Sequence, residues 1–147
     1  MKFKIMVVAI CLACAGCQTV GAGGLGKDDN SPLVRLVAEK AQTHNVPTSL
    51  AQAVVKVESN YDPRAYSQGN FGLGQIRCGT AKMLGFAGKC KDLLDPDTNL
   101  DYSMQYLSQK LRLADGDWCK AATMYNNGRN TAKGSSAYCR KVMRNVD

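Results

Sequence analysis

The sequence predicts a single, mainly α domain, and three observations carry that expectation. Its 147 residues leave room for one domain with a sizeable core and no second catalytic domain. Apolar residues recur at helical spacing, most regularly at Leu50, Val54 and Val57 and again at Leu100, Met104, Leu107 and Leu111. Helix-starting residues stand ahead of the periodic stretches: Ser31-Pro32, Ser49, Asp95-Pro96, Asp117 and Ser136.

The chain opens with a different texture. Lys2 and Lys4 precede an apolar run from Ile5 to Cys14, too short to span a bilayer but of the length of a signal h-region, so the protein is expected to be exported. Two maturation routes fit the next residues. Ala13-Cys14-Ala15 offers the small-x-small pattern of ordinary cleavage, whereas Ala15-Gly16-Cys17 resembles a bacterial lipobox in which Cys17 is lipidated and becomes the first mature residue. The lipoprotein reading is preferred, although Cys14 stands where that motif usually has Leu. Residues 1–17 are therefore read as a signal peptide. Residues 18–32, rich in Gly and polar side chains and without hydrophobic period, are read as a flexible tether, and 33–147 as the folded domain.

Within the domain, a first helix runs from Ser31-Pro32 to about His44. Ser49 and Gln52 form a capping-box pattern for a second, which ends near Glu58. From Ser59 to Gly79, Asp62-Pro63, Gly69-Asn70, Gly72 and Gly74 break any helix, so this stretch is expected to be loop with at most a small β-hairpin. Asp95-Pro96 starts a long helix, Asp117 caps a shorter one through Tyr125, and Ser136 to Val146 forms the last.

Charge narrows the partners without choosing one. The formal net charge is +7, and it becomes +5 once Lys2 and Lys4 leave with the signal. Such a balance suits an anionic polymer or membrane surface, including the bacterial wall. The Lys and Arg are scattered rather than clustered, so a solvated surface explains them and no nucleic-acid partner is expected.

Cys11, Cys14 and Cys17 fall inside the signal segment, where a metal-binding reading of their spacing has no place. Cys78, Cys90, Cys119 and Cys139 remain. An even number in an exported chain predicts two disulfides, for which three connectivities are open. The local pairs Cys78 with Cys90 and Cys119 with Cys139 are favoured because each closes a short loop. Structural zinc is the rival, but these spacings lack paired C-x-x-C units, so no metal is expected.

Glu58 is the most informative residue. At about 100° per residue it falls roughly 40° from Val54, on the side of the apolar stripe, while Gln52 and Lys56 point away. Desolvation there raises a carboxyl pKa, which a general acid near neutral pH requires. A Glu at a helix end with its head in water is the ordinary alternative, and this helix alone does not exclude it.

Three separated segments bear on that choice. Glu58-Ser59-Asn60-Tyr61-Asp62-Pro63, then Ser67 with Gly72-Leu73-Gly74-Gln75-Ile76 and Thr80-Ala81, then Tyr125-Asn126-Asn127-Gly128 resemble the three motifs of the soluble lytic transglycosylase domain, a family related to goose-type lysozyme. Asp95-Pro96, Asn99 and Tyr106-Leu107 resemble the family's intervening helix, so the likeness spans residues 33–143. It implies a lysozyme-like fold with a cleft for peptidoglycan glycan strands. It implies Glu58 as the catalytic acid/base, cleaving the bond between N-acetylmuramic acid and N-acetylglucosamine and leaving 1,6-anhydro ends. It also implies Ser67 and Tyr125 beside the reacting sugar and Gln75 and Asn126 as amides for substrate hydroxyl or acetamido groups. No cofactor is implied. Three features depart from the common pattern: Gly74 stands where many relatives carry Met, Asn127 replaces the usual Ala, and the segment between Ser67 and Gly72 is one residue shorter.

Other residues have structural readings. Asp62, the only acid near Glu58 in sequence, precedes a Pro and is assigned to a turn. The sole histidine, His44, is assigned to a helix C-terminus, and the sole tryptophan, Trp118, to packing around a disulfide. Gly72 and Gly74 are read as allowing a positive φ or close backbone approach to the glycan, and Gln75 as able to bond the loop backbone instead of substrate.

These observations lead to a peptidoglycan lytic transglycosylase, periplasmic and anchored to the outer membrane through lipidated Cys17, or else secreted. Secretion or envelope machinery would be its wider partner. A hydrolytic muramidase on the same fold and a non-catalytic wall-binding or assembly module are the alternatives.

Overall fold

The computed structural model describes residues 31–146. The signal peptide, the lipidation at Cys17 and nearly all of the tether lie outside the described residues.

The described residues form six α-helices and a small sheet. Helix α1 spans Pro32–Thr43 and α2 spans Thr48–Ser59. Strands β1 (Tyr66–Ser67), β2 (Asn70–Phe71) and β3 (Ile76–Arg77) follow, leading directly into α3 (Cys78–Met83). A 3₁₀ turn over Cys90–Leu94 precedes α4 (Pro96–Leu113), then α5 (Trp118–Asn127) and α6 (Ala137–Met143). None of the described helices is long and apolar enough to cross a membrane.

Helix α4 is the spine. Its Leu100, Met104, Leu107 and Leu111 are buried, as their spacing predicts, and meet Leu50 and Val54 of α2 and Val37 of α1 in one core. Three expected starts are formed by side chains that satisfy orphan N–H groups: Asp95 accepts from Thr98 N, Asp117 from Lys120 N and Ser136 from Cys139 N, each at 2.9 Å. Helix α1 begins at Pro32 as expected, though the Ser31 hydroxyl makes no cap bond.

The capping box at α2 is a correction. The helix starts two residues earlier, after Pro47, and no side chain caps it. Pro47 enters with φ −56° and ψ 126°, and its carbonyl already accepts from Ala51 N at 3.0 Å. Ser49 therefore lies inside the first turn, where its hydroxyl is not in the N-cap position.

The region after α2 is more ordered than a hairpin: the three strands pair antiparallel in the order β1-β2-β3. Tyr66 pairs with Phe71 and Ser67 with Asn70, then Asn70 with Arg77 and Phe71 with Ile76. Gln68 and Gly69 close the first turn with φ of 49° and 83°, the left-handed pair that matches strand twist. The second connection is held from outside by Asn99 of α4, which is fully buried. Its amide donates to Phe71 O and Leu93 O, both at 2.7 Å, and its carbonyl accepts from Gly74 N at 2.8 Å.

That bond pattern explains both glycines. Gly72 has φ +63°, and a Cβ there would lie 2.5 Å from Asn99 Nδ2. A Cβ on Gly74 would lie 2.2 Å from Ser103 Oγ and 3.0 Å from the Tyr125 hydroxyl. Gly72 takes the positive φ that was one of the two expectations, and both glycines admit close approach by their neighbours: α4 and the 3₁₀ turn at Gly72, α4 and α5 at Gly74.

Both local disulfides form. Cys78–Cys90 ties α3 to the 3₁₀ turn, and Cys119–Cys139 ties α5 to α6, with Cα separations of 5.3 and 5.1 Å. Trp118 packs partly buried against the core next to the second of them. His44 is the C-cap residue of α1, and its Nε2 lies 2.9 Å from Asp101 Oδ1.

Candidate active site

Glu58 projects from the last turn of α2, just before Asn60 ends the helix in the left-handed conformation. Beyond it opens a cavity of about 260 Å³. The sheet side contributes Asn70, Gln75, Ile76 and Arg77, and α3 contributes Thr80. Tyr106 of α4 and Tyr125, Asn126, Asn127 and Gly128 at the end of α5 form the opposite wall. Among the described residues, Glu58 is the only carboxylic acid lining this cavity.

The helical stripe explains the electrostatics. Partial burial pushes the Glu58 carboxyl above the usual carboxylate range, and a hydrogen bond from Tyr138 partly offsets that rise. The bond is short, with the Tyr138 hydroxyl donating to Glu58 Oε1 at 2.5 Å. A phenol donor steadies the ionised form while burial favours the protonated one. The group is thus able to give up a proton and take it back.

Tyr138 is the residue that sequence reasoning missed. It lies 80 positions from Glu58 and belongs to none of the three motifs. Helix α6 packs against α2, and the Cys119–Cys139 bridge fixes α6 one residue from Tyr138. Its place beside a predicted disulfide was the only signal. Burial and the adjacent Glu58 charge both push the phenol's own pKa up, so it remains a donor.

The other expected residues divide. Tyr125 is buried below the cavity and donates to Gly74 O at 2.6 Å, not to Glu58. Burial first, and the Glu58 charge second, raise its pKa. Its ring lies 5.2 Å from that of Tyr106, over which Lys110 Nζ sits at 4.5 Å. Asn126 is exposed on the cavity wall with its amide available.

Gln75 borders the cavity, but its Nε2 donates to Ala65 O and Gly72 O at 3.1 and 3.0 Å. Both amide hydrogens therefore serve the loop backbone, and at φ +48° the residue helps to shape the bend. Ser67 is exposed on the edge strand β1 and does not line the cavity. Asp62 makes the expected turn, accepting from Arg64 N at 2.8 Å, and stays outside the cavity. Among the described residues no group of three or more His, Cys, Asp and Glu side chains is arranged to hold a metal ion.

Chemically, the cavity offers one half-buried carboxyl with a phenol donor, amides from Asn70 and Asn126, and the exposed Arg77 guanidinium. That is the equipment for transferring a proton at a neutral, polyhydroxylated substrate.

Comparison with solved structures identifies the fold. The 70 kDa soluble lytic transglycosylase SLT70 of Escherichia coli overlays 76% of this chain at 27% identity and a TM-score of 0.59. The same protein in complex with bulgecin A gives a TM-score of 0.58. An inactive mutant of the lytic transglycosylase Slt of Pseudomonas aeruginosa overlays 81% at 25% identity, with a TM-score of 0.60. The matched part is 18% to 20% of those proteins' lengths. The lysozyme-like fold expected from the motifs is therefore the fold of this chain. The transglycosylase SLT domain family model matches residues 35–144, and on that match the chain belongs to the transglycosylase SLT domain family.

Proposed function

We propose that this protein is a peptidoglycan lytic transglycosylase with Glu58 as its single acid/base. The observation that carries the reading is the Glu58 carboxyl, the one acid lining the cavity among the described residues, raised by burial and held by Tyr138.

Ordinary glycosidases divide the work between two carboxylates. One suffices when the substrate brings its own nucleophile. Protonated Glu58 gives its proton to the oxygen that links C1 of N-acetylmuramic acid to N-acetylglucosamine, and the C1–O bond breaks. The muramyl 6-oxygen then closes onto C1, and its proton passes to the Glu58 carboxylate. A 1,6-anhydro sugar leaves without water, and Glu58 is protonated again. Tyr138 stabilises the carboxylate formed between the two steps. Asn126 and Asn70 bind sugar hydroxyl or acetamido groups, and Tyr125 shapes the floor by holding the Gly74 carbonyl.

The export signal and Cys17 extend this to a periplasmic enzyme, anchored in the outer membrane and acting on wall glycan, in the service of wall turnover or of envelope machinery that must cross the wall.

The test is mass spectrometry of products released from purified peptidoglycan by the chain from Gln18 onward, beside its Glu58→Gln variant. Anhydromuramyl ends made only with Glu58 present are expected. Reducing muramyl ends would mean a hydrolase, and absence of products would favour a wall-binding module.

A further inference from the structure

Arg77 has no part in the proton transfers above, yet it occupies a distinctive place. It borders the Glu58 cavity and also a second, more open cavity of about 490 Å³ lined by the β1–β2 turn and the start of α3. Thr80 borders both as well, while Gln68, Gly69, Gly79 and Met83 belong to the second alone. Arg77 is thus shared by the two cavities.

Its bonding leaves it incomplete. Nε donates to Asn70 Oδ1 at 3.3 Å, across the sheet pair, which holds the planar fork without neutralising it. Among the described residues no carboxylate forms an ion pair with Arg77, whereas Lys40 and Lys120 each find an aspartate. The terminal guanidinium nitrogens are the geometry that matches a carboxylate in two parallel bonds. Met83 beside it is 81% exposed and offers an apolar surface.

A glycan backbone of N-acetyl sugars carries no charge of its own. Its carboxylates hang from muramic acid: the lactyl group when the peptide is absent, the peptide stem when it is present. Resting on the glycan reading above, we propose that Arg77 is a specificity-determining residue that binds a carboxylate on the muramyl substituent, which lies in the cavity beside Met83. The enzyme thereby distinguishes strands by what their muramic acids carry.

The experiment measures binding, without turnover, to protein bearing Glu58→Gln. Three soluble glycans of one length are compared: stem-bearing, amidase-stripped with a free lactyl carboxylate, and stripped with that carboxyl converted to a neutral methylamide. At least one carboxylate form should bind about fivefold tighter than the neutral one, the upper range for an exposed ion pair, and the ratio should shrink as salt is raised. Adding Arg77→Gln should bring the ratio to one, while Arg77→Lys should keep part of it. Whether the stem or the lactyl form is preferred identifies the source of the carboxylate. Equal binding of all three forms, or a preference that survives Arg77→Gln, would overturn the inference while leaving the glycan reading intact. Failure to bind any glycan would overturn both.

Discussion

Replacing Tyr138 with Phe removes a single oxygen and tests how Glu58 is tuned. The ring stays, so the packing of α6 against α2 is kept; the 2.5 Å bond to Glu58 Oε1 is lost. A hydrogen bond to a charged group contributes about 1.5–3 kcal/mol. In the proposed cycle that bond matters most when Glu58 has given up its proton, so its loss falls mainly on the transition state. At 1.36 kcal/mol per factor of ten, kcat should fall roughly 10- to 100-fold, with little change in KM. The pH profile gives an independent readout. The tyrosine bond lowers the Glu58 pKa against the upward push of burial, so removing it moves that pKa further up. In the proposed cycle protonated Glu58 is the active acid, so activity should fall as pH rises through its pKa, and in Tyr138→Phe this fall should move to higher pH. The assay is the rate of product release from purified peptidoglycan across pH, with circular dichroism to show that the fold is kept. Unchanged kcat with an unmoved alkaline limb would refute the assignment of Tyr138 as the group that positions and tunes Glu58.

Three further outcomes follow from the packing and the linkage. Gly74→Ala places a methyl 2.2 Å from Ser103 Oγ, and thermal melting should show a loss of about 1–3 kcal/mol, part of which Ser103→Gly restores in the double variant. Removing the Cys119–Cys139 bridge, which spans 20 positions, by a double Ser replacement should cost roughly 3 kcal/mol in denaturant unfolding. It should also lower activity below the melting transition, because α6 carries Tyr138. Glu58→Gln should raise stability near neutral pH by about 0.5–1 kcal/mol, the lower end of what relieving an active-site compromise yields. The sign follows from linkage: with a folded pKa above the unfolded value, the carboxyl's favourable contribution is complete at pH below the unfolded value and is lost as pH rises through the folded one. The gain should therefore disappear in acid, and a constant gain at all pH values would contradict the assignment.

Much of this molecule is readable from local patterns. The stripe of Leu50, Val54 and Val57 sends Glu58 toward the apolar side, and the half-buried carboxyl with its raised pKa is the consequence. Asp95, Asp117 and Ser136 cap the helices that their positions announce, because a cap is a contact three residues long. The two disulfides pair as short loops favour. What local pattern does not convey is long-range. Tyr138 reaches Glu58 only because α6 docks on α2, and no periodicity within either helix states that. Asn99 resembles a family residue in sequence, but its four-way bonding to Phe71, Leu93, Gly74 and Ser103 emerges only when the β2–β3 loop lies over α4. The capping box over Ser49 and Gln52 loses to Pro47, whose fixed φ starts the helix two residues sooner. Gln75 had two readings, and the loop backbone takes both of its amide hydrogens. The third strand was hidden because two-residue strands carry too little alternation to register.

The central claim is that one carboxyl suffices because the substrate supplies the nucleophile. The most direct measurement is digestion of purified peptidoglycan in water enriched in the heavy oxygen isotope, followed by mass spectrometry of the muramyl ends. Anhydro ends with no incorporated label are expected, formed by the parent protein and absent with Glu58→Gln. New reducing muramyl ends in place of anhydro ends, formed only with Glu58 present, would show that water attacks C1, and would contradict the claim.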